Sequence, residues 1–147
     1  MNQATENLTI RSGAALTPEQ VMAAQRLAVK YIPRVNTTEI SFVALRRNRV
    51  VAALFGCVAL FKDTQTAAFQ IDAVVVVPEL RRLRLASKII QHLETSNLLR
   101  EHQQNYKVSA ITGQVIHPGS MLLMQSLGYT IHQEKPTDCP TCSKQLT

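Results

Sequence analysis

The sequence predicts an α/β fold of the α+β kind, a mixed, mostly antiparallel twisted sheet flanked by helices. Three observations carry this. Apolar residues recur at helical spacing between Val21 and Tyr31, then switch to strand-like alternation from Ile40. Long apolar stretches follow, separated only by short polar turns. Finally, the valine run Val74 to Val77 passes directly into a helix rich in Leu and Ile.

Taken in order, Leu8 to Arg11 is a short strand, with Ser12 and Gly13 opening a loop. Thr17-Pro18-Glu19-Gln20 reads as a helix start, with Thr17 as cap, Pro18 at the first helical position and Gln20 closing a capping box. Val21, Ala24, Leu27, Ala28 and Tyr31 form the apolar face, and Pro33 ends the helix. Ile40 to Leu45 alternates as a strand, and Arg46 to Arg49 is a tight turn. Val50 to Phe61 is a long strand with a bulge or bend at Gly56. Lys62 to Thr66 turns the chain into a third strand of the meander, Ala67 to Val77.

Pro78 stops that strand, and one helix is expected from about Arg82 to His102, burying Leu85, Ala86, Ile89, Ile90 and Leu93. The Val108 to Ile111 strand would lie parallel to the previous one, because a long helix separates them. A short helix, Gly119 to Leu127, ends at Gly128, and Tyr129 to His132 is a last strand. The order is therefore β-α-β-β-β-α-β-α-β. Residues 1–134 form one domain on this reading, and 135–147, polar and proline-bearing, a tail.

A chain of 147 residues is long enough to bury a core without a metal or a disulfide. Aromatics are only 5% and Trp is absent, so that core must be aliphatic. No apolar run is long enough to span a membrane, and Met1 to Thr9 has no signal-peptide character. Three cysteines make no disulfide framework, so a cytoplasmic, reduced protein is expected. The net charge of +6 points to an anionic partner or simply to a solvated surface. Arginines cluster at Arg46, Arg47 and Arg49 and at Arg81, Arg82 and Arg84. No aromatic residue interleaves with either cluster, which counts against nucleic acid.

Val74 to Lys88 is the segment that carries chemistry. Where a strand ends and a helix begins, several backbone N–H groups lack partners and the helix dipole presents its positive end. Together they make an anion site. Arg81, Arg82, Arg84 and Lys88 add charge there, and guanidinium donors suit phosphate oxygens. Cations are disfavoured at that end of a helix, so four of them point to a compensating anion such as a pyrophosphate.

Arg81-Arg82-Leu83-Arg84-Leu85-Ala86 resembles the pyrophosphate-binding motif of the GNAT N-acetyltransferase superfamily: Arg or Gln, two variable residues, Gly, one variable residue, then Gly or Ala. The preceding Val76-Val77-Pro78-Glu79 is also common there, and the element order matches over nearly the whole chain. The resemblance implies acetyl-CoA or another acyl-CoA as co-substrate, an amine-bearing acceptor, and a homodimer as one expected state. The pyrophosphate would meet the amides from Arg81 through Ser87, that is Arg81, Arg82, Leu83, Arg84, Leu85, Ala86 and Ser87. The pantetheine arm would run along the strand at Val74 and Val76.

Two departures stand out. Arg84 occupies the place of the central Gly; if helical, its Cβ points away, whereas an unusual φ would weaken binding. In the short helix, family members carry Asn, a small residue, Leu-Tyr and Gly-Phe where this chain has His117, Ser120, Leu123-Met124 and Gly128-Tyr129. Met124 has no proton to give in place of the Tyr and reads as a core filler. His117 reads either as an acid or pantetheine partner or as a loop histidine. Asp72 is the candidate general base, or an exposed strand-end carboxylate; Gln70 cannot be a base. Cys139 and Cys142 make half a zinc site with His132 as a third ligand, or two reduced thiols of a tail; no metal is expected. The leading function is N-acetyl transfer, the alternative an acyl-CoA-binding regulatory module without turnover.

Overall fold

Residues 8–32, 39–114, 118–137 and 139–146 are described by a computed structural model, with backbone alone at 82, 83, 118 and 119. Its strands are β1 (Leu8–Ser12), β2 (Ile40–Arg46), β3 (Arg49–Phe61), β4 (Thr66–Val76), β5 (Val108–Gln114), β6 (Thr130–His132) and β7 (Thr141–Gln145). They form one seven-stranded sheet in the order β1-β2-β3-β4-β5-β7-β6. The helices are α1 (Pro18–Tyr31), α2 (Leu85–Glu94), α3 (Asn97–Tyr106) and α4 (Pro118–Ser126), with short 3-10 helices at Gly13–Ala15 and Pro78–Leu83. The expected class holds: a mostly antiparallel sheet flanked by helices, with β4 and β5 as the parallel pair. Pro33 and His117 lie outside the described residues.

Packing divides the chain into two compact units, Met1–Gly56 with Asp72–Thr95, and Cys57–Ile71 with Ser96–Thr147. In the first, α1 starts as its sequence dictates. Thr17 Oγ1 accepts from the Gln20 N–H at 3.2 Å, and Gln20 Oε1 accepts from the Thr17 N–H at 3.0 Å. Ala24 and Ala28 are fully buried against Val43, Leu45, Val50, Ala53, Phe55, Ala73 and Val75. A second cluster joins Ala44, Val51 and Ala52 to Val76, Val77, Leu80 and Leu85. Residues of alternate parity on the strands thus serve two different cores.

Two bulges change which residues face each cluster. Ile40 is registered against Phe55 and Phe42 against Leu54, so Ser41 is the extra residue on β2; Ala44 faces Ala52 and Leu45 faces Val50, so Val51 is extra on β3. Each insertion reverses parity locally. Ile40 and Val50 consequently pack with the α1 cluster despite their even numbers, alongside Val43 and Ala53. Gly56, where the sequence suggested a bulge, sits beside the first one: its N–H donates to Glu39 O at 3.1 Å, and its carbonyl accepts from the Ser41 hydroxyl at 3.4 Å. Between β2 and β3, Arg47 and Asn48 take φ of 52° and 64°, as a mirror-image hairpin turn requires.

The expected single helix from Arg82 to His102 is corrected to a 3-10 stretch and two α-helices. The break is chemical: Thr95 Oγ1 turns back to Gln91 O at 3.2 Å, and Ser96, with extended backbone, accepts the Leu99 N–H on its hydroxyl at 3.2 Å as the cap of α3. In the second unit, α3 lays His102 on Phe69 with centroids 5.9 Å apart. The segment expected as a tail also carries structure. Its strand β7 pairs antiparallel with β5 on one side and β6 on the other. Only Cys142 of that strand is buried, so backbone pairing rather than side-chain patterning holds it. Lys144 Nζ donates to Leu127 O at 2.9 Å, satisfying a carbonyl where α4 ends.

Candidate functional site

On β4, Ala73 and Val75 enter the α1 cluster, which leaves Asp72, Val74 and Val76 on the opposite face. Asp72 and Val74 are half-buried and share that face, as expected from the sequence. Among the described residues, the pairing of β4 with β5 runs from Ala67 against Val108 to Ile71 against Gly113. Asp72 to Val76 lie beyond the last registered pair.

The chain then turns. The Val77 N–H donates to Val51 O at 2.9 Å, Pro78 opens the 3-10 stretch, and the Leu80 N–H returns to Val77 O at 3.0 Å. Leu80 and Leu85, both buried, pin the two ends of the turn in the second cluster. Between them Arg84 takes φ 58° and ψ 26°, the left-handed conformation, and α2 starts at the next residue. The open choice at Arg84 is thereby decided: it is not helical, and it occupies the backbone state that favours glycine.

Arg84, the N-cap of α2, makes no side-chain cap bond, and the first turn has no acidic residue. The first bond closing the helix is from the Lys88 N–H to Arg84 O at 3.1 Å. The N–H groups of Leu85, Ala86 and Ser87 therefore stand at a helix start without i−4 acceptors. Arg81, Arg84 and Lys88, which flank this start in sequence, are exposed. Arg81 is also tied down. Its Nε donates to Val76 O at 3.0 Å, and its guanidinium carbon sits 4.6 Å from the centre of the Tyr31 ring. Tyr31 escaped the sequence reading except as one member of an apolar helix face, and no sequence signal marks its contact with Arg81.

Met124 is buried on α4, and Gln70 is exposed on β4. Arg47 and Arg49 are exposed at the β2–β3 hairpin, with Arg46 half-buried. Cys142 is buried against Gly113 while Cys139 is exposed, and His132 Nε2 bonds Ser143 Oγ at 2.8 Å. Burial pushes the Cys142 thiol up, only partly offset by a backbone hydrogen bond from Gly113. Among the described residues no three His, Cys, Asp or Glu side chains gather to hold a metal ion, and no helix is long and apolar enough to cross a membrane.

Residues 14–129 match the family model described as acetyltransferase (GNAT) family. No curated protein sequence matches the chain. Solved structures do. Ard1 from Thermoplasma volcanium is 14% identical with a TM-score of 0.69, covering 96% of this chain and 99% of its own. Naa50 from Arabidopsis thaliana, solved with the bisubstrate analogue CoA-Ac-MVNAL, is 14% identical with a TM-score of 0.69, covering 95% and 99%. A polyamine N-acetyltransferase from Drosophila melanogaster is 13% identical with a TM-score of 0.65, covering 95% and 100%. At these identities the likeness is one of fold.

Proposed function

Because the chain belongs to the GNAT acetyltransferase family, we propose that it transfers an acetyl group from acetyl-CoA, or an acyl group from a related thioester, to an amine. The observation that carries the reading is the start of α2, where the N-cap Arg84 makes no side-chain cap bond, with exposed Arg81, Arg84 and Lys88 beside it in sequence and β4 joined to it through the 3-10 stretch. Donors without i−4 acceptors, a helix dipole and exposed cations fit a diphosphate. The amides of Arg81 to Ser87 would hold it, and the backbone of Val74 and Val76 would run beside the pantetheine. One carbonyl there is already engaged, since Val76 O accepts from Arg81.

In the reaction, the acceptor amine attacks the thioester carbonyl. A C–N bond forms, the C–S bond breaks, and the amine proton goes to a base. Asp72 is the base we assign, on the same face of β4 as Val74. His117 carries its candidacy as an acid from its position in the sequence alone. Positioning and backbone donors supply most of the acceleration in such a site.

A second reading is binding without turnover, favoured by one feature: the family's Tyr position holds Met124, which is buried and has no proton to give. Thermal unfolding with acetyl-CoA and with CoA tests the site itself. At a hundred times the dissociation constant, binding stabilises by about 2.7 kcal/mol, a shift of several degrees. No shift would reject both readings. A shift, followed by thiol release with any member of an amine panel, would establish transfer; a shift with no release would establish the binding module.

A further inference from the structure

We infer that Tyr31 is a positioning residue for the cofactor's diphosphate, acting through Arg81; this rests on the acyl-CoA reading given above. Tyr31 is the last residue of α1 and packs on that helix's cluster, whereas Arg81 follows β4 in the 3-10 stretch of the other cluster. The guanidinium lies over the ring at 4.6 Å, within reach of a cation–π contact. Lys30 Nζ is also near the ring, at the longer distance of 5.4 Å.

Two restraints act on Arg81 from different directions. Val76 O takes Nε–H at 3.0 Å, and the Tyr31 ring holds the guanidinium carbon 4.6 Å from its centre. A guanidinium has five N–H donors in one plane. With Nε spent and the group held at the ring, the donors left are those on the two Nη atoms, which form a planar fork. That fork is the part suited to bidentate contact with phosphate. Arg81 is exposed, so without these restraints its side chain would lose considerable rotamer freedom on binding an anion. Tyr31 removes part of that cost beforehand.

The chemistry also separates this role from a merely structural one. An ammonium can satisfy the charge but has neither the planar face nor the fork, so Arg81→Lys should behave as a loss of the clamp. Tyr31→Phe keeps the ring, and Tyr31→Leu removes it while staying apolar on the α1 cluster.

The test is calorimetric and thermal-shift titration of the full chain with CoA, and with pantetheine, which lacks the diphosphate. Tyr31→Leu should raise the Kd for CoA about three- to tenfold, as expected for losing a cation–π contact, and Arg81→Lys should do so to a similar extent by losing the fork. Tyr31→Phe should match the parent, and pantetheine binding should be unchanged in all three. In an Arg81→Ala background, Tyr31→Leu should have no further effect. Parent-like CoA affinity in Tyr31→Leu or Arg81→Lys, equal losses for CoA and pantetheine, or full additivity with Arg81→Ala would each overturn the proposal while leaving the acyl-CoA reading intact. Should Tyr31→Leu not fold, Tyr31→Met, which also removes the ring while staying apolar, takes its place with the same expected loss. Failure of the parent chain to bind CoA would overturn the reading and the proposal together.

Discussion

Arg84 holds a left-handed backbone with φ of 58° at the one place where the resemblance led us to expect glycine. A side chain in that region costs about 1 kcal/mol relative to Gly. Arg84→Gly should therefore raise unfolding stability by about 1 kcal/mol, roughly 3 °C, without moving the amides that start α2. Arg84→Ala keeps the strain and removes the charge, so its melting point should stay near the parent's while CoA affinity falls. If Ala stabilises as much as Gly, charge repulsion rather than conformation is the cost at this residue. The glycine-like requirement was visible in the motif; its fulfilment by Arg was not, because a sequence carries no φ. Cys142 makes a second prediction at this scale. Burial raises its thiol pKa in the folded chain, so the unfolded chain releases that proton first as pH rises. Stability is fully present below the ordinary thiol range, near about 8.5, and is lost as pH climbs through the raised folded value. Denaturant titrations on either side of that range should show the loss, and Cys142→Ala should flatten it. Cys139, exposed, should react with a thiol reagent without unfolding.

Among the elements, those marked by apolar periodicity or by an unobscured capping pattern were legible, and a strand placed by backbone pairing alone was not. The capping box of α1 was read from Thr17 and Gln20 and is made as expected. The break between α2 and α3 had a sign that the apolar stripe obscured. After Leu85, Ile89, Ile90 and Leu93, helical spacing asks for an apolar residue at position 96 or 97, and the chain offers Ser96 and Asn97. Ser96 is the cap that makes the break, with its hydroxyl taken by the Leu99 N–H. Ser96→Ala should cost about 1 kcal/mol by leaving that N–H without its acceptor, and Ser96→Asp should recover most of the loss. Equal stability of Ser96→Ala and the parent in denaturant would mean that packing of Leu99, not the cap, sets the start of α3. Strand β7 offered no such sign. It alternates no apolar residues, follows Pro136 and Pro140, and is placed by hydrogen bonds to two neighbours.

Over the whole molecule, the strand–helix order could be read because each connection has a physical length requirement. Two short turns tie β2, β3 and β4 in succession, and the helical stretch before β5 is what a parallel neighbour needs. The two bulges could not be read, since a strand that is buried on both faces shows no parity for them to reverse. The site divides along similar lines. The basic turn was legible as charge in sequence, whereas Tyr31 reached Arg81 only through the fold. Net charge is the remaining whole-chain property with a functional consequence. At +6, the molecule repels polycations at long range and attracts acidic chains, an effect that salt screens within about 10 Å at 0.1 M. Within the proposed transfer activity, a peptide amine followed by acidic residues should be acetylated faster than a polyamine at low ionic strength. Raising salt should slow the first and speed the second, chiefly through KM, because screening alters encounter and not the chemical step. A rate panel against salt concentration measures this directly. A polyamine preferred at low salt, with a rate that falls as salt is added, would place a local acidic acceptor site above the net charge and reverse the expected substrate class.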